Sequence, residues 1–72
     1  MATVLLSGKE FEYILRKCRI KYLTFGKSVN RTAQTIRNWT ELPTVPIVAE
    51  LKLQKVIGLK RLQALKQECE HL

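Results

Sequence analysis

The chain has 72 residues, with 13 lysines and arginines against 6 acidic residues, giving a formal net charge of +7 and a pI near 9.9. A chain this short makes one domain, 1–72, and a domain of this size buries only about 60% of its unfolded surface, so its core is small and a partner copy would add burial. No apolar run approaches the ~20 residues of a membrane span, and the first residues lack both the basic start and the apolar core of a secretory signal. A cytoplasmic, nucleoid-associated protein with an anionic partner such as nucleic acid is expected from this balance.

The segment 1–6 is apolar and β-prone, and reads as a terminal arm on the helices or as an edge that pairs with a second copy. Ser7, with Glu10 three residues later, forms a capping box at the start of a first helix over 8–19. Phe11, Ile14, Leu15 and Cys18 give that helix one apolar stripe, and Ile20 is the apolar hinge after it. A second helix is expected over 22–29; Lys21 is a poor cap for it, so its first turn is placed as late as Thr24. The third runs over 33–41, where threonine and asparagine lower the intrinsic propensity and packing of Ile36 and Trp39 has to hold the helix.

Leu42 precedes Pro43, which ends the third helix. Thr44 is the candidate cap and Pro46 the first-turn residue of a fourth helix reaching Val56, with Val48, Leu51, Leu53, Val56 and Ile57 on its apolar side. Gly58 is a stop or a kink, and a fifth helix over 59–70 repeats leucine at Leu59, Leu62 and Leu65, followed by Cys69 and Leu72. That ladder serves either as core or as a dimer seam. The expected fold is therefore all-α, a compact domain of four to five helices.

The chemistry concentrates between the second and third helices. Phe25 and Val29 lie four apart on one face, and Ile36 and Trp39 three apart on the next. Gly26 lets another helix cross close to the backbone, and Asn30 is among the few non-glycine residues that tolerate the left-handed conformation such a turn needs. Thr32 offers a hydroxyl to cap the third helix. With Ile36 and Trp39 turned inward, Thr32, Ala33, Gln34, Arg37, Asn38 and Glu41 fall on the outside. Side-chain amides and guanidinium groups read base edges: an amide pairs bidentately with adenine, an arginine with guanine.

The spacing of Gly26, Asn30 and Ile36 resembles the helix-turn-helix, and ILRKCRIKYLTFGKSVNRTAQTIRNW resembles its lambda-repressor-like version, the XRE or phage Cro and C repressor type, over about 6–58. The resemblance implies a sequence-specific regulator of transcription that binds double-stranded DNA, of phage or mobile-element origin. It implies a third helix lying in the major groove and a homodimer on two-fold-related half-sites. Gln34 and Arg37, then Asn38 and Ala33, are the candidates for base contact; Lys21, Lys27, Arg31, Thr32 and Thr35 are those for phosphate contact.

Two other readings stay open. RTAQTIRNW is also similar to the MerR and excisionase group, architectural DNA-binding proteins whose wing would come from 42–48, a short stretch with two prolines. The chain also reads as a protein-interaction module, an antitoxin or a phage factor gripping a host protein through the fifth helix. Trp39 and Tyr22 lie near a basic surface where single strands stack, although Trp39 completes a core stripe. No enzyme is expected: there is no glycine-rich phosphate loop, His71 lacks partners, and Cys69 and His71 are two apart on a helix, which disfavours a metal. No cofactor is called for. Cys18 and Cys69 read as free thiols of a reducing compartment, with a single disulfide as the alternative.

Overall fold

Ser7 and Glu10 open the first helix by capping each other. In the computed structural model, which describes residues 4–71, the Glu10 amide donates to the Ser7 hydroxyl (3.2 Å) and the Ser7 amide to the Glu10 carboxylate (2.8 Å). Helix α1 (Gly8–Lys17) buries Phe11, Ile14 and Leu15 as the stripe foretells. It ends two residues earlier than expected, because Arg19 turns the chain with a left-handed φ of 56° and the Ile20 amide folds back onto the Leu15 carbonyl (2.9 Å). That conformation is unfavourable for a side chain with a Cβ.

Helix α2 (Tyr22–Ser28) follows at once, with Lys21 at the cap position and making no side-chain cap bond. The helix thus begins at Tyr22, not at Thr24: the amide of Phe25 finds the Lys21 carbonyl at 2.9 Å, so the first turn closes without a capping side chain. After the turn come α3 (Ala33–Trp39), α4 (Ile47–Ile57) and α5 (Leu59–Glu70). The described residues form five helices and no strand, an all-α fold. With no hairpin over 42–48, the excisionase reading lacks its wing among the described residues.

Helix α2 packs on α3, while α5 packs against both α1 and α4. One cluster unites them: Phe11, Ile14 and Leu15 from α1, Phe25 from α2, Ile36 and Trp39 from α3, Ala49 and Leu53 from α4, Leu62 and Leu65 from α5. Phe11 meets the Phe25 ring edge-on at 5.3 Å and the Trp39 ring at 6.3 Å, a geometry in which the positive edge of one ring faces the negative face of the next. The leucine ladder is core, since Leu62 and Leu65 are buried and Leu59 packs against the cluster. Leu72 lies outside the described residues, as do residues 1–3 of the terminal arm.

Val4 and Leu6 are buried in the same core, so this part of the arm packs on the helices. Its backbone is held by the Val45 amide on the Leu6 carbonyl (2.9 Å), by Lys66 Nζ on the Leu5 carbonyl (2.6 Å), and by the Val4 amide on Glu50. Glu50 is only 2% exposed, and its other oxygen, Oε2, has no partner among the described residues.

Helix α4 departs from the reading of its sequence at both its start and its face. Pro46, not Thr44, occupies the cap position and makes no side-chain cap bond. Ala49, Glu50 and Leu53 turn inward, whereas Ile47, Val48 and Val56 are 56%, 41% and 53% exposed. Apolar residues spread around the helix among Glu50, Lys52, Gln54 and Lys55 leave its orientation undetermined by periodicity, and here the buried contact of Val4 with Glu50 accompanies the inward turn. Gly58 separates α4 from α5 with φ 89°, a conformation that side chains rarely adopt, so the two helices are not continuous.

Gly8 has a different constraint. Its amide donates to the Leu42 carbonyl (2.9 Å), and a Cβ added there would lie 2.3 Å from the Thr40 carbonyl oxygen and 2.7 Å from that of Leu42. Both obstacles are backbone, so Gly8→Ala is expected to destabilise the fold by about 1–3 kcal/mol. A thermal melt reads this as a fall of roughly 4–8 °C per kcal/mol; an unchanged midpoint would show that the α1 start and the 40–42 segment separate freely.

On the outside, Tyr13 donates to Glu68, and Lys17 sits 3.3 Å from the same carboxylate. The Tyr13 hydrogen bond, then Lys17, lowers the Glu68 pKa, and the Tyr13 phenol is raised in turn. Both cysteines are free thiols; Cys18 caps the C-terminus of α1, while burial and then Glu10 near the other end of α1 raise the Cys69 thiol. The disulfide alternative is therefore not realised.

Candidate nucleic-acid interface

The α2–α3 turn is built from three features. The Arg31 amide donates to the Gly26 carbonyl at 2.7 Å, and a Cβ on Gly26 would sit 2.6 Å from the Arg31 carbonyl oxygen, so the chain leaving the turn lies against α2's backbone. Asn30 takes the left-handed conformation, φ 63°. Thr32 then caps α3, its hydroxyl accepting from the Thr35 amide at 3.2 Å. All three were legible as residue types before the geometry was known.

Ile36 is fully buried and Trp39 is 8% exposed, which makes Trp39 a core residue and takes it out of reach of a stacking base. Tyr22 is half-buried against the same cluster. With those anchors inward, Gln34, Arg37 and Asn38 are exposed together on the outer face of α3, at spacings of three and four that make them neighbours. Gln34 Nε2 donates to Asn38 Oδ1 at 3.0 Å. That bond leaves Gln34 Oε1 as an acceptor and the Asn38 Nδ2 amide as a donor on the exposed face, the two kinds of group that an adenine edge, with its N6 donor and N7 acceptor, can engage. Ala33 is half-buried beside them, and Glu41 lies beyond the end of α3, where its amide bonds the Asn38 carbonyl (3.1 Å).

The residues assigned to phosphate fall into two groups. Lys27, Asn30, Arg31, Thr32 and Thr35 line one shallow depression of about 420 Å³. Within it Arg31 Nη1 donates to the Asn30 carbonyl (3.2 Å), and the Thr32 and Thr35 hydroxyls share a hydrogen bond of 3.0 Å. Lys21 lies elsewhere, in a depression at the α1–α2 junction with Arg16 and Arg19. These two arginines escaped the reading of the sequence. They look like ordinary solvated charges on the outside of α1, and only the early helix end and the left-handed Arg19 bring them beside Lys21.

Among the described residues no group of three or more histidines, cysteines or acids is placed to hold a metal, and no helix is long and apolar enough to cross a membrane. Comparison with protein-family models, with curated proteins and with solved structures gave no match in any of the three.

Proposed function

We propose that this chain is a sequence-specific regulator of transcription that binds double-stranded DNA, of the phage or mobile-element repressor kind, with α3 in the major groove. The reading rests on one observation: a tight turn at Gly26 and Asn30 holds a short helix by Ile36 and Trp39, so that Gln34, Arg37 and Asn38 project together from its exposed side. With its side chains an α-helix is about 10–12 Å across, which a major groove about 12 Å wide admits. The Gln34–Asn38 amide pair would select adenine and Arg37 guanine, while Ala33 leaves room for a base methyl group. Lys21, Lys27 and Arg31, helped by the hydroxyls of Thr32 and Thr35, would neutralise phosphates and set the register. One half-site of this size is weakly bound, so a homodimer assembles on DNA, in the nucleoid of the cytoplasm.

Salt dependence separates this reading from a basic interaction module. Three phosphates neutralised per copy predict a slope of log K against log salt of about −2.7, and of about −5 for two copies. A filter or anisotropy titration with duplex DNA at a series of salt concentrations measures it, and a slope near zero overturns the proposal. Selection of bound sequences from a random duplex pool is expected to return a motif with two-fold symmetry; a pool that stays random after repeated rounds overturns sequence-specific binding.

A further inference from the structure

Helix α4 has more apolar surface than the fold covers. Ala49 and Leu53 are fully buried, yet Ile47 and Val48 stand 56% and 41% exposed on the other side of the helix, in a domain with little core to spare. Apolar side chains on the outer side of a helix gain from being covered. Between this side of α4 and the end of α2 runs an open groove of about 620 Å³, whose lining includes the apolar Val29, Val48 and Leu51 and the basic Lys52 and Lys55. Among the described residues no carboxylate lines it.

We propose that this groove is the docking site for an acidic amphipathic helix of a partner protein. Positions 48, 51, 52 and 55 follow one another at helical spacing over roughly 10 Å of α4, so that Val48 and Leu51 lie beside two lysines on one side, as apolar and acidic residues lie together along an amphipathic helix laid against it. The two lysines select the sign of that helix: carboxylates beside its apolar stripe meet Lys52 and Lys55, where complementary charge favours encounter and fixes orientation. A second copy of this chain fits less well, because a two-fold contact through α4 sets Lys52 and Lys55 near their own copies between molecules that each carry +7. The DNA backbone fits less well too, since phosphates gain nothing from a floor of Val29, Val48 and Leu51. This site is separate from the α3 face and does not depend on the DNA-binding reading.

The probe is a synthetic helical peptide with leucine at i, i+3, i+4 and i+7 and glutamate elsewhere, titrated into ¹⁵N-labelled protein. Its twin carries lysine in place of glutamate. Saturable shifts of the Ser28, Val29, Val48, Leu51 and Lys55 amides by the acidic peptide are expected, with binding by the lysine twin at least about tenfold weaker. Val48→Asn combined with Lys52→Glu, both on the outer side of α4, is expected to weaken the acidic peptide by about tenfold or more while the circular-dichroism melt is retained. Gln34→Ala with Arg37→Ala is expected to leave peptide binding unchanged. Equal affinity for the two peptides, or shifts scattered over the basic surface, overturns the proposal. So does perturbation of these same amides by protein concentration alone or by duplex DNA, which would assign the groove to a second copy or to nucleic acid.

Discussion

Trp39→Ala is expected to remove a large share of the stability of this domain. The indole is 8% exposed, stands 6.3 Å from the Phe11 ring, and closes the core where α3 meets α1. Removing a buried tryptophan side chain costs about 3–5 kcal/mol, whereas a domain of this length has a total stability of about 4–11 kcal/mol at typical values per residue. Helix α3 has only seven residues and four of them, Thr35, Ile36, Asn38 and Trp39, are weaker helix formers, so it cannot survive on propensity once that anchor is gone. Urea unfolding followed by circular dichroism is the suitable measurement, because Trp39 is the chain's single tryptophan and its fluorescence vanishes with the substitution. A loss below about 1 kcal/mol would mean that the α3 anchor is Ile36 alone.

The second large effect leaves the fold untouched. Gln34 and Arg37 are exposed, so replacing both with alanine is expected to shift stability by no more than about 0.5 kcal/mol. Each bidentate base contact is worth about 1–3 kcal/mol of discrimination, and losing two is expected to reduce the ratio of specific to random-sequence affinity by roughly 30-fold to 10⁴-fold. Competition between a selected site and mixed duplex DNA measures that ratio. Lys27→Ala or Arg31→Ala supplies the contrast: it should weaken every sequence alike and lower the salt slope by about 1, because a phosphate contact carries no sequence information. A double alanine variant that discriminates as well as the parent would reject α3 as the reading helix.

Much of this architecture follows from short-range rules and was legible for that reason. The Ser7–Glu10 box, the Phe11–Ile14–Leu15 stripe, the left-handed Asn30 and the Thr32 cap are each decided by residues within one or two turns of one another. The α3 face was legible too, since two inward anchors three apart leave little choice about what points out. Long-range contacts defeated the same rules. Nothing local to Glu50 announces that it is buried beside Val4, 46 residues away along the chain. Gly8 reads as an ordinary first-turn residue, and is required by the backbone of Thr40 and Leu42 lying against it. Val48 and Val56 read as core because an apolar helix has no phase of its own, and packing settled the matter against them. The grouping of Arg16 and Arg19 with Lys21 depends on a chain reversal that no residue type announces.

That reversal has a consequence for any attempt to make the protein more robust. Arg19 holds a conformation for which glycine is the natural occupant, at a sacrifice of roughly 1–2 kcal/mol. Arg19→Gly is thus an obvious thermostabilising substitution, and it is also one that deletes a positive charge from the cluster at the α1–α2 junction. Variants ranked by heat resistance alone would drift towards glycine here, and would arrive at a hardier scaffold whose α1–α2 junction has shed part of its positive field.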